Sequence, residues 1–242
     1  MHFPDPLIPA RLIRRYKRFL ADVVLEDGRQ ITAHCPNPGA MLGCAEDGAR
    51  IWLSPVHNPK ARLRWRWELV ESHNTLIGIN TMLANRIVAE AIKKGQIAPL
   101  AGYGSLQSEV RMGKGTRFDF MASDHPERPG EPCYIEVKSV TYRRDGLAQF
   151  PDSVTQRGAR HLLALKTLVD SGARAMMIYL VQRSDCSEMT FACDIDQTYY
   201  RAYEEAVEAG IESYAYGCHL SPSAIEIDRP LSIGKPALYA GP

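Results

Sequence analysis

Three residues near the middle of the chain have types and spacing that chemistry can use. Glu136 and Lys138 stand two apart in the apolar run YIEVKSV (residues 134–140), and Asp119 stands seventeen residues earlier between Phe118 and Phe120. On a strand, residues two apart share a face, so Glu136 and Lys138 project together with Cα atoms roughly 7 Å apart. Asp119, facing opposite to its two flanking rings, is expected on that same polar side once the strands pair. Two carboxylates roughly 4–5 Å apart on paired strands suit a hard divalent cation such as Mg²⁺ or Mn²⁺, which prefers oxygen ligands and keeps several waters. Without a cation they repel, and one pKa rises. A lysine beside them stabilises charge developing on phosphorus, or lowers the pKa of a metal-bound water. That is the chemistry of metal-assisted phosphodiester hydrolysis, although a bare Glu-x-Lys is most often an ordinary strand ion pair.

The elements around these residues read as α/β. Residues 81–94 open at Thr81, stop at Gly95 and place Leu83, Ile87, Val88 and Ala91 on one side of a helix, with Glu90 at the edge of that face. The strands LQSEVRM and RFDFMAS follow, joined by the turn Gly113-Lys114-Gly115, and CYIEVKSV comes after a polar Pro-rich loop. Ser153 to Gln156 fits a capping box, with Asp152 and Ser153 as capping residues; the helix it opens turns Leu162, Leu165, Leu168 and Val169 to the core. The strand in SGARAMMIYLVQR then completes a βαβ crossover onto a parallel neighbour. A last helix at about 197–209, the strand IESYAYGCHL and a loosely held tail after Asp228 end the chain.

Before residue 73 the pattern is all β. RFLADVVL, RQITAHC, ARIWLSP and ARLRWRWELV are short segments separated by turn residues, which suggests a small β-barrel with an OB-like barrel as one candidate. In the last segment Leu63, Trp65, Trp67 and Leu69 fall on one face, and Arg62, Arg64, Arg66 and Glu68 fall on the other. That row of guanidinium groups, with Arg11, Arg14, Arg15, Lys17 and Arg18, is either a nucleic-acid surface or a set of edge charges that blocks aggregation. HCPNPGAML is likewise either a rigid turn or a loop whose backbone N–H groups hold a phosphate.

Charge runs unevenly. Residues 1–72 hold 11 Lys/Arg against 8 Asp/Glu, residues 73–184 hold 15 against 10, and residues 185–242 hold 3 against 10. A polyanion partner for the basic part and a solvated charged surface both fit this balance. The six cysteines show neither a C-x-x-C pair nor zinc-ligand spacing, so they are read as reduced structural thiols. No run approaches a membrane span and Pro interrupts the N-terminus, so a cytoplasmic protein with no membrane contact is expected.

Asp119 followed by Glu136-Val137-Lys138 resembles the signature of the PD-(D/E)xK nuclease superfamily. HCPNPGAM, TRFDF, YIEVKSVT, FPDSVTQRGARHL and Ser221-Pro222 resemble, more narrowly, the sugar fermentation stimulation protein A family over nearly the whole chain. The resemblance implies an OB-like nucleic-acid-binding domain at 1–80 and a restriction-endonuclease-like α/β domain with a mixed central sheet at 81–242. It also implies a DNA-binding protein without strong sequence preference, linked to transcriptional regulation of sugar, notably maltose, metabolism. Carried over by position, Asp119, Glu136 and the Val137 carbonyl are metal ligands for Mg²⁺ or Mn²⁺, Lys138 is the catalytic lysine and Glu90 is the first-helix acid. Phe118 stands where the superfamily name has proline, a variable position that chelation does not need. The helix after the Glu-x-Lys strand borders the metal cleft in such folds, which makes Gln156, Arg157 and Arg160 candidates for phosphate or metal-water contacts. His161 is read as packed or solvated rather than as a general base. Two classes remain: a metal-dependent nuclease acting on DNA or RNA, and a DNA-binding regulator that keeps the nuclease-like scaffold without cutting.

Overall fold

Alternating apolar residues and turn signals build the first half of the chain from six strands: β1 (Ile8–Tyr16), β2 (Leu20–Leu25), β3 (Gln30–His34), β4 (Arg50–Pro55), β5 (Trp65–Ser72) and β6 (Thr75–Gly78). The structure is a computed structural model that describes residues 1–113 and 115–236. The six strands lie in the order β3-β2-β1-β4-β5-β6, and a parallel pairing of His34 in β3 with Arg66 in β5 closes the first five into a barrel. Closure satisfies both edges, which otherwise invite pairing with another chain. The barrel core holds Leu12, Val23, Ile51, Leu53 and Trp67. β1 carries little sequence signal, because only Ala10 and Leu12 of its nine residues are buried.

Two expectations about β5 fail. The strand starts at Trp65, so Arg62 and Arg64 precede it, and the Arg64 guanidinium closes the preceding turn by donating to the carbonyls of Asn58 and Pro59. Glu68 is also not outward. Trp67 and Val70 belong to the barrel core while Leu69 belongs to a core shared with the second half of the chain. A strand covered on both sides leaves no solvent face, and Glu68 is 3% exposed. Its carboxylate accepts from Ser54 Oγ and Asn80 Nδ2, each at 2.6 Å, and burial pushes its pKa up against those two bonds.

The second half runs α1 (Ala84–Lys93), β7 (Ser105–Met112), β8 (Thr116–Ser123), β9 (Cys133–Val140), β10 (Tyr142–Arg144), β11 (Leu147–Phe150), α2 (Gln156–Asp170), β12 (Arg174–Val181), β13 (Glu188–Phe191), α3 (Gln197–Glu208), β14 (Glu212–Leu220) and β15 (Ile225–Ile233). A 3-10 turn, Thr81–Leu83, leads into α1, with Asn80 as its side-chain cap. The nine strands form one mixed sheet in the order β10-β11-β13-β15-β14-β12-β9-β8-β7. β9 and β12 run parallel, joined through α2, as the crossover reading requires. The hairpin β10–β11, strand β13 and strand β15 carry no clear sequence signal. The first three have three or four residues each, and Asp228 and Pro230 interrupt the apolar pattern of the last. The chain after Asp228 is therefore strand through Ile233 rather than a loose tail, while 237–242 and Lys114 of the expected turn lie outside the described residues.

α1 packs on one face of this sheet with Trp52 and Leu69 of the barrel, so the two halves share a core. α2 and α3 cover the other face through Leu162, Leu165, Tyr199 and Ala202. α2 is capped two residues later than the capping box suggests. Thr155 Oγ1 accepts from Gly158 N at 3.1 Å, and Thr155 N is itself held by Asp196 Oδ2 at 2.7 Å. Asp152 is not a cap at all, because its Oδ2 accepts the Met41 N–H of the barrel at 2.8 Å. All six cysteines are free thiols, and burial pushes Cys44, Cys133 and Cys218 up to about 12. Among the described residues no helix is long and apolar enough to cross a membrane.

Candidate functional site

The residues singled out for chemistry line a cleft of about 800 Å³ between the barrel and the second half of the chain. Its floor is the middle of β8 and β9. Strict alternation would put Phe118 and Phe120 on one face, yet Phe118 packs under α2 and Phe120 under α1. The alternation breaks at Asp119, and Glu109, which falls opposite it on β7, sits at a φ of 57°. The β8–β9 ladder ends at the pair Phe120 and Ile135. At the next rung the Asp119 side chain takes over: Oδ2 accepts Val137 N–H at 2.8 Å and Oδ1 accepts from Asn85 Nδ2 of α1 at 2.7 Å.

Glu136 follows Ile135 on the opposite face and is 3% exposed. Its Oε1 accepts from Lys138 Nζ at 2.6 Å and meets His161 Nδ1 of α2 at 2.5 Å. Its Oε2 is buried with no hydrogen-bond partner among protein atoms. Arg157 Nε donates to His161 Nε2 at 3.3 Å, which makes that nitrogen an acceptor and leaves Nδ1–H to donate to Glu136. Burial pushes Asp119 above the usual carboxylate range and the Glu136 charge pushes it further, against the bonds from Val137 and Asn85. Burial also pushes Glu136 up, but Lys138 and His161 outweigh it and the carboxyl ends below its ordinary value.

These groups fit a divalent metal. Among the described residues no set of three or more His, Cys, Asp and Glu converges, so the protein offers two carboxylates and no closed cage. Mg²⁺ is held in this way, through one or two carboxylates, waters and substrate phosphate oxygens. Two mutually repelling acids and one buried carboxylate oxygen without a donor are what a cation would satisfy.

A family model described as "Sugar fermentation stimulation protein RE domain" matches residues 82–224, and one described as "SfsA N-terminal OB domain" matches residues 13–79. The chain belongs to the sugar fermentation stimulation protein family. It is 48% identical over 234 residues to the sugar fermentation stimulation protein homolog of Paramagnetospirillum magneticum, covering 96% of this chain and 98% of the relative. The Rhodospirillum centenum homolog is 50% identical over 234 residues, covering 96% and 99%. A solved structure, Pyrococcus furiosus SfsA in complex with Ca²⁺, superposes with a TM-score of 0.87 at 26% identity, covering 97% of this chain and 98% of the other. The barrel followed by a mixed sheet is thus the fold of this family.

The remaining candidates divide by where the fold puts them. Arg18, Gln156 and Arg157 border the cleft, as does Val137 beside the two acids. Arg15 also borders it, but its guanidinium donates to the carbonyls of Arg18, Asn37, Gly39 and Ala40 and so organises the 36–41 loop rather than standing free for phosphate. That loop has little room for an anion: Gly39 N donates to Asn37 Oδ1 and Met41 N to Asp152. Arg14 is held by Asp22 at 3.0 Å, and Arg66 lies 3.9 Å from Glu68. None of Arg14, Arg62, Arg64, Arg66 and Arg160 borders the cleft. Glu90 does not join the acids either: its carboxylate meets Lys94 Nζ at 2.7 Å and the Met1 amine at 3.2 Å. Five residues before it, Asn85 is the α1 residue that reaches Asp119. Asn85 carries no charge that marks it in the sequence, and His161, which reads as packed or solvated, instead meets Glu136.

Proposed function

We propose that this protein binds DNA in the cleft and holds a divalent cation, Mg²⁺ or Mn²⁺, at Asp119 and Glu136, where a phosphodiester bond is hydrolysed. The observation that carries the reading is the convergence of Asp119, Glu136 and Lys138 on the floor of a cleft bordered by Arg18, Gln156 and Arg157. The Ca²⁺ in the Pyrococcus furiosus relative supports an oxygen-ligand site in this fold. The cation supplies Lewis-acid stabilisation of the phosphoryl oxygens and a water of lowered pKa. Lys138 adds a positive charge beside the reacting phosphorus. His161 and Asn85 hold the two carboxylates at fixed angles, as outer partners of metal ligands do. Arg18 and Arg157 contact backbone phosphates, which gives affinity without sequence preference and a steep salt dependence. Any part in regulating sugar use follows from this DNA contact.

The test is cleavage of DNA in Mn²⁺ by wild type and Lys138→Ala. Cutting lost in the variant while DNA is still retained supports hydrolysis. DNA retention without cutting by either protein replaces it with the binding-only regulator, and cutting by both at equal rates removes Lys138 from the chemistry.

A further inference from the structure

The two walls of the cleft touch. Asp152, on the segment leading into α2, accepts the Met41 N–H of the barrel at 2.8 Å. Gly39 lies so close beneath it that a Cβ there would come within 2.5 Å of both Asp152 carboxylate oxygens. Gly39, Ala40 and Asp152 all border the cavity, so the barrel and the second half of the chain are in direct contact along its margin. Glu136, on the floor, is 3% exposed. The walls are joined along this margin, so B-DNA, whose major groove alone is about 12 Å wide, has to approach from outside it. A single extended strand brings less bulk to that floor.

The mouth offers surfaces for bases. Among the described residues six large hydrophobics are exposed; one of them, Val154, lines the cleft, and Phe19, Met82 and Leu42 are close in sequence to lining residues. Val154, 69% exposed, borders the cavity; Met82, 72% exposed, lies between Thr81 and Ala84; Phe19 follows Arg18; Leu42 stands two residues after Ala40. Val154 thus puts an exposed apolar side chain on the cleft wall. Duplex bases hide their faces in the stack, whereas an unpaired strand presents them to aromatic and aliphatic side chains. Arg18, Arg157 and Lys138 supply the charge complementary to its phosphates.

We propose that the cleft takes an unpaired DNA strand, drawn between the barrel and the start of α2 with its phosphates toward Arg18 and Arg157 and its bases against Phe19, Met82 and Val154. This deepens, and rests on, the reading of Asp119 and Glu136 as a phosphodiester site. The experiment is fluorescence anisotropy in Ca²⁺ with labelled DNA of about 20 nucleotides, longer than the usual site of one barrel domain, either unpaired or as blunt duplex. The unpaired strand is expected to bind at least about 10-fold tighter, and Phe19→Ser with Val154→Ser to weaken it about 10-fold while moving duplex affinity little, the effect of losing base stacking. Duplex bound equally or tighter, no binding of either, or unpaired-strand affinity unchanged in the double variant would each overturn the proposal. Cleavage is scored separately with Lys138→Ala in Mn²⁺, so loss of the hydrolytic reading and loss of the strand preference are read from different experiments.

Discussion

Asp119 stands in for a backbone carbonyl, its Oδ2 accepting the Val137 N–H at 2.8 Å at the rung where the β8–β9 ladder stops. One side chain therefore serves both the sheet and the site. Asp119→Ala leaves that amide without its acceptor and is expected to cost about 1–3 kcal/mol, whereas Asp119→Asn keeps an acceptor oxygen. Burial and the neighbouring Glu136 raise the Asp119 pKa in the folded protein. A raised acid destabilises the fold once ionised, and the penalty vanishes below the unfolded pKa. In metal-free buffer Asp119→Asn is thus expected to melt above wild type at neutral pH and to lose that advantage below the ordinary aspartate value of 3.8. Thermal melts across pH measure this, and a constant difference at all pH values contradicts it.

Glu136 works in the opposite sense. Lys138 and His161 hold its folded pKa below the ordinary value, so it contributes stability above its unfolded pKa of 4.5 and loses it as pH falls. His161→Phe keeps a ring against Phe118 but removes the N–H that meets Glu136. The variant should lose stability mainly at neutral pH, with the gap closing in acid, and should bind Mn²⁺ about 10- to 100-fold more weakly, as loss of an outer partner does. Equal metal affinity in a folded variant would make His161 a packing residue only.

Much of this was legible in the residues. Period-two alternation located β2 to β5 of the barrel, and the 3.6-residue pattern located α1, α2 and α3. Asp119, Glu136 and Lys138 were legible because their charges interrupt apolar strands. What escaped depended on tertiary partners. Glu68 reads as a surface residue until both sides of β5 are covered; Glu90 reads as a cleft acid until Lys94 and the Met1 amine claim it. Asp152 reads as a helix cap, and only the fold brings Met41, 111 positions away, to its carboxylate.

Glu68 links the barrel to the site through Asn80, whose side chain caps the turn into α1 and hence the helix that carries Asn85. Glu68→Ala strands Ser54 and Asn80 as buried unpaired groups. A loss of about 2 kcal/mol is expected, or roughly 4–8 °C in melting temperature for a chain of this size. A melt within a degree of wild type would show that water or rearrangement replaces the carboxylate.

The Asp152 contact joins the cleft walls along one margin. Asp152→Ala removes the acceptor for Met41 N–H without touching Asp119 or Glu136. Mn²⁺ affinity should stay as in wild type while the preference for unpaired over duplex DNA narrows about 3-fold or more, a modest change for one lost hydrogen bond. An unaltered preference would mean that other contacts hold the walls together.

The central claim is that Asp119 and Glu136 together hold a divalent cation. Isothermal titration of Mn²⁺ into wild type, Asp119→Asn and Glu136→Gln tests it most directly. One site in wild type, weakened at least about 10-fold in each variant, is the predicted result, since removing either charged oxygen ligand takes away half of the site's carboxylate charge. Affinity equal in all three proteins, or no heat of binding in wild type, would contradict it.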